Sequence, residues 1–222
     1  MPAEPTIRKR ARPLAKRGSG RPPASDGEAT RARIMTAAQD CFARAGYRET
    51  SNRNIADAAG VTAGTIYHYF VNKRELFLTV HEDIQKQIRA RVREPTRAAT
   101  TFIEAVRTFV DTSAALHQAF PSVGRFNAVV RTEALRNPEI ADARFDQEWR
   151  QFYHALSDLG VATGEIDRAD APRVRRVLAA VVLGLTQHGV EATPSDHAEC
   201  LRGVVALFEG ALVRRASERR RA

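Results

Sequence analysis

Between Thr50 and Phe70 two short helical patterns meet at a single glycine, and this stretch limits the fold more than any other. Thr50 or Ser51 puts a hydroxyl just before the first pattern, where it can accept from exposed helix N–H groups. That pattern covers residues 52–59, with Ile55, Ala56 and Ala59 on one face at helical spacing. Gly60 supplies the backbone freedom of a tight turn, and Val61 is the apolar residue that packs inside it. Thr62 is placed to cap a second pattern, residues 63–70, whose buried face carries Ile66 and Phe70. Two short helices joined through a glycine turn and alanine-sized contacts describe a helix-turn-helix. Thr65, Tyr67 and His68 point outward, with Tyr69 at the margin. A recognition helix sets such residues against base edges in a major groove. Hydroxyls and imidazole bond phosphate or base, and the Tyr ring packs on a thymine methyl or a sugar. Lys73, one turn on, is placed to clamp a phosphate. For any one of these residues, plain helix surface or partial core stays an open alternative.

The run GVTAGTIYHYFVNKRELF resembles the DNA-binding signature of the TetR (tetracycline-repressor-like) family. There a short recognition helix ends in Tyr-His-Tyr-Phe or a close variant, before the N/S-K-x-x-L start of a fourth helix. The resemblance is detailed over residues 29–77 and architectural beyond them. It implies an all-α fold, with a three-helix DNA-binding domain followed by a larger helical domain for effector binding and dimerisation. Carried over by position, the family's contacts fall on Ser51, Arg53, Thr62, Ala63, Gly64, Thr65, Tyr67, His68, Tyr69 and Lys73. Two positions depart from the pattern. Asn52 stands where an apolar residue is usual, and Ala63 where many members place a long side chain that reaches a base. The second departure leaves fewer direct base contacts.

The flanking patterns are all helical. Residues 28–45 carry Ile34, Ala38 and Phe42 on one face, Gly46 ends them, and Tyr47 covers the three-helix core. The basic flank of that helix, Arg31 and Arg33, faces either a DNA backbone or solvent. A fourth helix starts at the cap Asn72, repeats Leu76, Val80, Ile84 and Ile88, and is stopped by Pro95. Such a helix is a lever between two domains. Five more patterns follow, at residues 96–119, 122–135, 139–159, 171–188 and 195–214, with Gly160 ending the third of them. No strand run or internal repeat interrupts them, so about nine helices are expected. The organisation expected is a basic arm at 1–27, a DNA-binding domain at 28–77, an effector and dimerisation domain at 78–215, and a basic tail at 216–222. The last two helices have broad apolar faces with small residues, Gly184, Gly203, Gly210 and Ala211, that allow close approach to a second copy. A homodimer through 171–188 and 195–214 would also double the contacts of a short reading helix on a palindrome, although closing the monomer core is the alternative.

Charge supports the same partner. The net charge is +9 over 222 residues. Residues 1–27 hold seven Lys/Arg against Glu4 and Asp26, and 214–222 hold five Arg against Glu218, so the body between carries no net charge. Basic ends displace counterions from duplex phosphates. Arg21, in the frame GSGRPP, is suited to an A·T-rich minor groove. A solubilising tail is the alternative for the C-terminal run.

Other classes find little support. Cys41 and Cys200 have no metal-ligand spacing, His81-Glu82 lacks a second zinc-spaced His, and there is neither a phosphate loop nor a nucleophile elbow. No enzyme, metal or cofactor is therefore expected. The basic start is not followed by an apolar run, and the most apolar segment, 177–185, is about half of a membrane span, so a cytoplasmic location and no membrane partner are expected. The resemblance implies a small-molecule cavity in the larger domain. Phe102, Phe109, His117, Phe126, Trp149, Phe152 and Tyr153 are its candidates for an apolar or aromatic effector, with plain core as the alternative for each aromatic. The function expected is a repressor released by that effector from a palindromic double-stranded operator. The alternatives are an activator of the same fold and a less specific DNA-packaging protein.

Overall fold

The protein is described by a computed structural model over residues 24–140 and 143–210. Arg21, the rest of the N-terminal arm to residue 23, Ala211 and the basic tail lie outside the described residues. The described residues form nine α-helices: α1 (Ala24–Glu49), α2 (Asn52–Ala59), α3 (Ala63–Tyr69), α4 (Lys73–Arg97), α5 (Phe102–Ala119), α6 (Pro121–Arg136), α7 (Ala143–Ala162), α8 (Ala171–Glu191) and α9 (Pro194–Phe208).

Helix ends follow local chemistry. Gly46 breaks α1 with φ 83 and ψ 172, a backbone that a residue with a Cβ rarely adopts. Ser51, not Thr50, caps α2. Its hydroxyl accepts from the Asn54 N–H, and the Asn54 side chain accepts from the Ser51 N–H, which makes a reciprocal capping box. Thr50 is instead buried, with its hydroxyl donating to the carbonyls of Cys41 and Gly46. Thr62 caps α3, Asn72 caps α4, Thr101 caps α5 and Thr193 caps α9, each through its side-chain oxygen.

Several expected boundaries move, among them the end of the last helix, which stops at Phe208 and not at 214, and three have a local cause. Pro95 does not stop α4 but sits in its last turn, which runs on to Arg97. The pattern from residue 96 becomes helical only at Phe102. Thr101 and the Glu165 carboxylate accept from the first N–H groups there, with Phe102 N–H to Glu165 at 2.6 Å. Gly160 does not end α7. It is buried inside the helix, where a Cβ would lie 2.4 Å from Ile166 and 3.1 Å from Phe102. The glycine therefore serves close packing, and the chain turns at Gly164, φ 77.

Two cores result. The first joins α1–α4 with one helix from further along the chain. Phe42 and Phe77 meet edge to face with centroids 4.9 Å apart, and Phe126 packs against Phe77 at a tilt, 5.2 Å away. α6 runs along α1, and Gln39 donates to the Ser122 hydroxyl between them at 2.9 Å. The second core collects α5, α7, α8 and α9 around Phe109, Phe152, Leu156 and Leu178. α4 belongs to both, with Leu76, Val80 and Ile84 in the first and Val92 in the second. Among the described residues no helix is long and apolar enough to cross a membrane.

Candidate nucleic-acid interface and the cavity behind it

The α2–α3 unit is held by few but specific groups. Ile55, Ala56, Ile66 and Phe70 are buried against α1, and Gly60 turns the chain at φ 64, its N–H closing on the Ala56 and Asp57 carbonyls. Fixing one face this way leaves the other to solvent. Ser51, Arg53, Thr62, Gly64, Tyr67 and His68 are exposed, and Ala63, Thr65 and Tyr69 are half-buried. The Tyr67 ring is 59% exposed, which is unusual for a side chain of that apolar area without a partner. The Thr62 and Thr65 hydroxyls lie 2.9 Å apart at the start of α3, and His68 meets Tyr69 edge to face at 5.1 Å. The Tyr69 hydroxyl reaches α1 near Gly27, and the Arg31 guanidinium lies 5.3 Å over the Phe70 ring. Asn52 has a buried side-chain oxygen with no partner, the cost of a polar residue at a position that packing favours as apolar.

Lys73 differs from its expected part. Its ammonium donates to the carbonyls of Tyr47 (2.9 Å), Arg48 (3.3 Å) and Thr50 (2.8 Å), and it lies 4.6 Å from the Tyr47 ring centre. Three donors meet three acceptors, so the side chain ties the start of α4 to the end of α1 and has no N–H left for a phosphate. Burial lowers its pKa, and nearby Glu133 and Glu49 oppose that.

Behind the reading unit lies a cavity of about 890 Å³, bounded by α1, α4, α5, α6, α7, α8 and α9. Its inner wall is apolar, with Ile84, Ile88, Phe109, Leu116, Trp149, Leu185 and Leu201. Exposed charged residues, among them Glu28, Arg31, Asp83 and Arg91, lie where α1 and α4 meet solvent. A polar relay links the cavity to the lever helix. Trp149 Nε1 donates to Gln85 at 3.0 Å, and Gln85, buried on α4, donates to Asn127 at 3.0 Å.

Of the expected effector contacts, Phe109, His117 and Trp149 line this cavity. The other four do not. Phe126 is spent in the first core, between Phe42 and Phe77. Phe102 packs against Phe208, and Phe152 and Tyr153 lie within the second core. The aromatic count between residues 96 and 160 points to one wall only. The walls from α4, α8 and α9, including Ile84, Ile88, Leu185 and Leu201, carry no aromatic signal and show only as helical apolar spacing. His197 had a faint one, since His188 lies nine residues before it across the α8–α9 turn. Among the described residues no group of His, Cys, Asp or Glu is placed to hold a metal ion.

Comparison with known proteins agrees with this geometry. Residues 34–80 match the family described as bacterial regulatory proteins, tetR family. The chain is 32% identical over 119 residues to the HTH-type transcriptional regulator UidR of Escherichia coli (strain K12), a match that spans 53% of this chain and only 58% of UidR. It is 26% identical over 152 residues to the HTH-type transcriptional repressor KstR2 of Rhodococcus jostii (strain RHA1), spanning 64% of this chain and 72% of KstR2. The fold is similar to that of the transcriptional regulator FadR from Bacillus subtilis in complex with stearoyl-CoA, with TM-score 0.72 and 20% identity over 82% of this chain and 99% of that one. Residues 34–80, with their capped reading unit and matching signature, thus form a DNA-binding region of the tetR family type, set within nine helices among the described residues.

Proposed function

We propose that the protein is a dimeric repressor that binds a palindromic operator through α3 and leaves it when a small apolar or aromatic effector fills the cavity. It is a regulator and not an enzyme. The observation that carries this reading is the exposed edge of α3, with Tyr67, His68 and the Thr62–Thr65 hydroxyl pair on a unit whose other face is fully packed. Ser51 and Arg53 extend that edge, and the Ala63 methyl and the bare Cα of Gly64 let the helix backbone approach a groove. Arg21 would add minor-groove contacts from the arm. Lys73 acts indirectly, by holding the reading unit on α4.

Dimerisation is supported by the outer face of α8 and α9. Val177, Leu183 and Leu207 are large apolar side chains about half exposed, and a Cβ added to Gly184, Gly203 or Gly210 would meet nothing within 4 Å. An apolar face with small residues suits a second copy packed helix to helix. The domains at 28–77 and 78–215 would then act as reader and sensor. Effector binding shifts the population toward dimers whose two α3 helices no longer match the operator spacing. Repression needs only occlusion of a promoter, and it is also what the name of KstR2 states for that relative.

Selection of bound genomic fragments, followed by footprinting, tests the proposal. A discrete palindromic footprint that a metabolite extract removes is expected. Uniform coating would point to packaging, and protection that persists with transcription rising in vitro would point to activation.

A further inference from the structure

One polar corner of the cavity is built from three histidines, of which the effector reading named only His117. His117 from α5, His188 from α8 and His197 from α9 converge there. The rings of His117 and His197 are 4.8 Å apart, those of His188 and His197 5.6 Å apart and nearly parallel, and their Nδ1 atoms lie 3.3 Å from each other. The helices come close enough only because Gly189 has no side chain. A Cβ there would lie 2.9 Å from His117 and 3.0 Å from His197. His117 and His197 both face the cavity, and His197 is buried.

Such a cluster lacks a counter-charge. On α9 the Asp196 carboxylate accepts from Thr193, and on α8 Glu191 accepts from Gln187. On α6 Arg131 donates to Gln187, and Arg125 is exposed. On α4 Arg91 lies over Phe120, and Asp83 accepts from Gln87. α7 contributes Trp149 to the same cavity. Among the described residues no carboxylate is bonded to any of the three rings. Burial, and then the neighbouring His117 and His188, hold His197 below the usual imidazole range, which favours its uncharged ring.

We infer that His117 and His197, backed by His188, seat the carboxylate of an amphipathic effector whose apolar body lies against Phe109, Trp149 and Leu201. This rests on the effector reading of the cavity. A carboxylate supplies the charge that the corner lacks, so one ring takes up a proton as the ligand binds and donates to it. In the hydrogen bond between His188 and His197, one Nδ1 donates and the other accepts. When His197 accepts, its Nε2–H is free to donate to the ligand. An uncharged ligand gains only an ordinary hydrogen bond. A metal ion is disfavoured, because no three of these nitrogens share a point.

The test is calorimetric titration of the full chain with decanoate and 4-phenylbutanoate, against decan-1-ol and 4-phenylbutan-1-ol. Both acids are almost wholly ionised above about pH 6. Their affinity should rise as pH falls from about 8 to about 6, by at most about tenfold per unit for one proton taken up. The heat should vary with buffer ionisation enthalpy, and the alcohols should show neither effect. H197Q and H117Q should each weaken the acids by about tenfold and leave the alcohols within about twofold. If one variant fails to fold, the other and the wild-type pH profile decide. Equal binding of acids and alcohols, no proton uptake, failure of both acids to bind at millimolar concentration, or Zn²⁺ alone saturating the same histidines would each overturn the inference. Release of bound DNA, read in parallel by fluorescence anisotropy, separates the two readings. Acids that bind in the histidine corner without releasing DNA would sink the effector reading and leave the seat standing. Release by an uncharged compound, unchanged in H197Q, would do the reverse.

Discussion

The two cores of this protein are packed to different ends. In the first, Phe42, Tyr47, Phe77 and Phe126 form one contiguous ring cluster, with Tyr47–Phe77 at 4.8 Å, and the starts of α2, α3 and α4 beside it are capped. In the second, Phe109 and Trp149 meet at 6.5 Å and one side of each faces about 890 Å³ of open space. A filled core fixes the direction in which α3 points, and a hollow one can be completed by something else. α4 takes part in both, and α1 and α6 of the first core also border that space. The domain boundary near residue 77 is less clean than the chain order suggests, since α6 closes the first core with Phe126 and Val130.

The largest effect should come from removing the residue that crosses that boundary. F126A should destabilise by about 3–5 kcal/mol, and hydrogen exchange should speed up in α1–α4 before it does in α8 and α9. W149A should cost less, because its ring already borders a void, and should alter ligand affinity instead. If the two substitutions behave alike in thermal unfolding, the contrast between a full core and a hollow one is wrong. Next in size is the reading edge. Y67A should weaken operator binding by about 1–3 kcal/mol, measured by anisotropy, with Tm unchanged because the ring touches little of its own fold. A drop in Tm of the same rank would make Tyr67 a packing residue.

K73M sharpens the comparison from another side. Losing three charge-assisted bonds to the Tyr47, Arg48 and Thr50 carbonyls should cost about 1–2 kcal/mol of stability after allowing for partial exposure. The salt dependence of DNA binding should keep its slope. A phosphate clamp would give the opposite pair of results: an unchanged Tm and a slope reduced by about one. Smaller still, S51A removes one half of the α2 capping box and should cost about 1 kcal/mol.

How much of this could be read in the chain depends on the range of the force concerned. Caps and turns act over three or four residues, so Thr62, Asn72 and Gly60 were legible in place. Helical spacing gave all nine helices, because an apolar stripe is a local pattern. Gly160 was misread for the same reason. A glycine near a helix end reads as a stop, and only the approach of Ile166 and Phe102 shows it as a gap for packing. Lys73 was placed correctly on α4, but its partners Tyr47 and Thr50 lie more than twenty residues away. The cavity was legible as a kind of object and not as a set of walls. Which face of Phe126 or Phe152 looks into space depends on how four helices cross, and spacing along one helix does not record that.

The finest probe of the hollow half is its response to pH. Burial and the two neighbouring imidazoles hold the His197 pKa below its unfolded value. The unfolded chain therefore binds more protons than the folded one once pH falls below about 6.5. This group's contribution is fully present above the unfolded pKa and is lost as pH falls through the lower, folded one. Tm should accordingly dip between about pH 7 and about pH 5, before most carboxylates begin to titrate. H197N should flatten that part of the profile, while S51A, whose damage lies in the filled half, should shift the whole curve without changing its shape. Should H197N keep the dip, the proton is taken up elsewhere, and the hollow core is no more sensitive to charge than the full one.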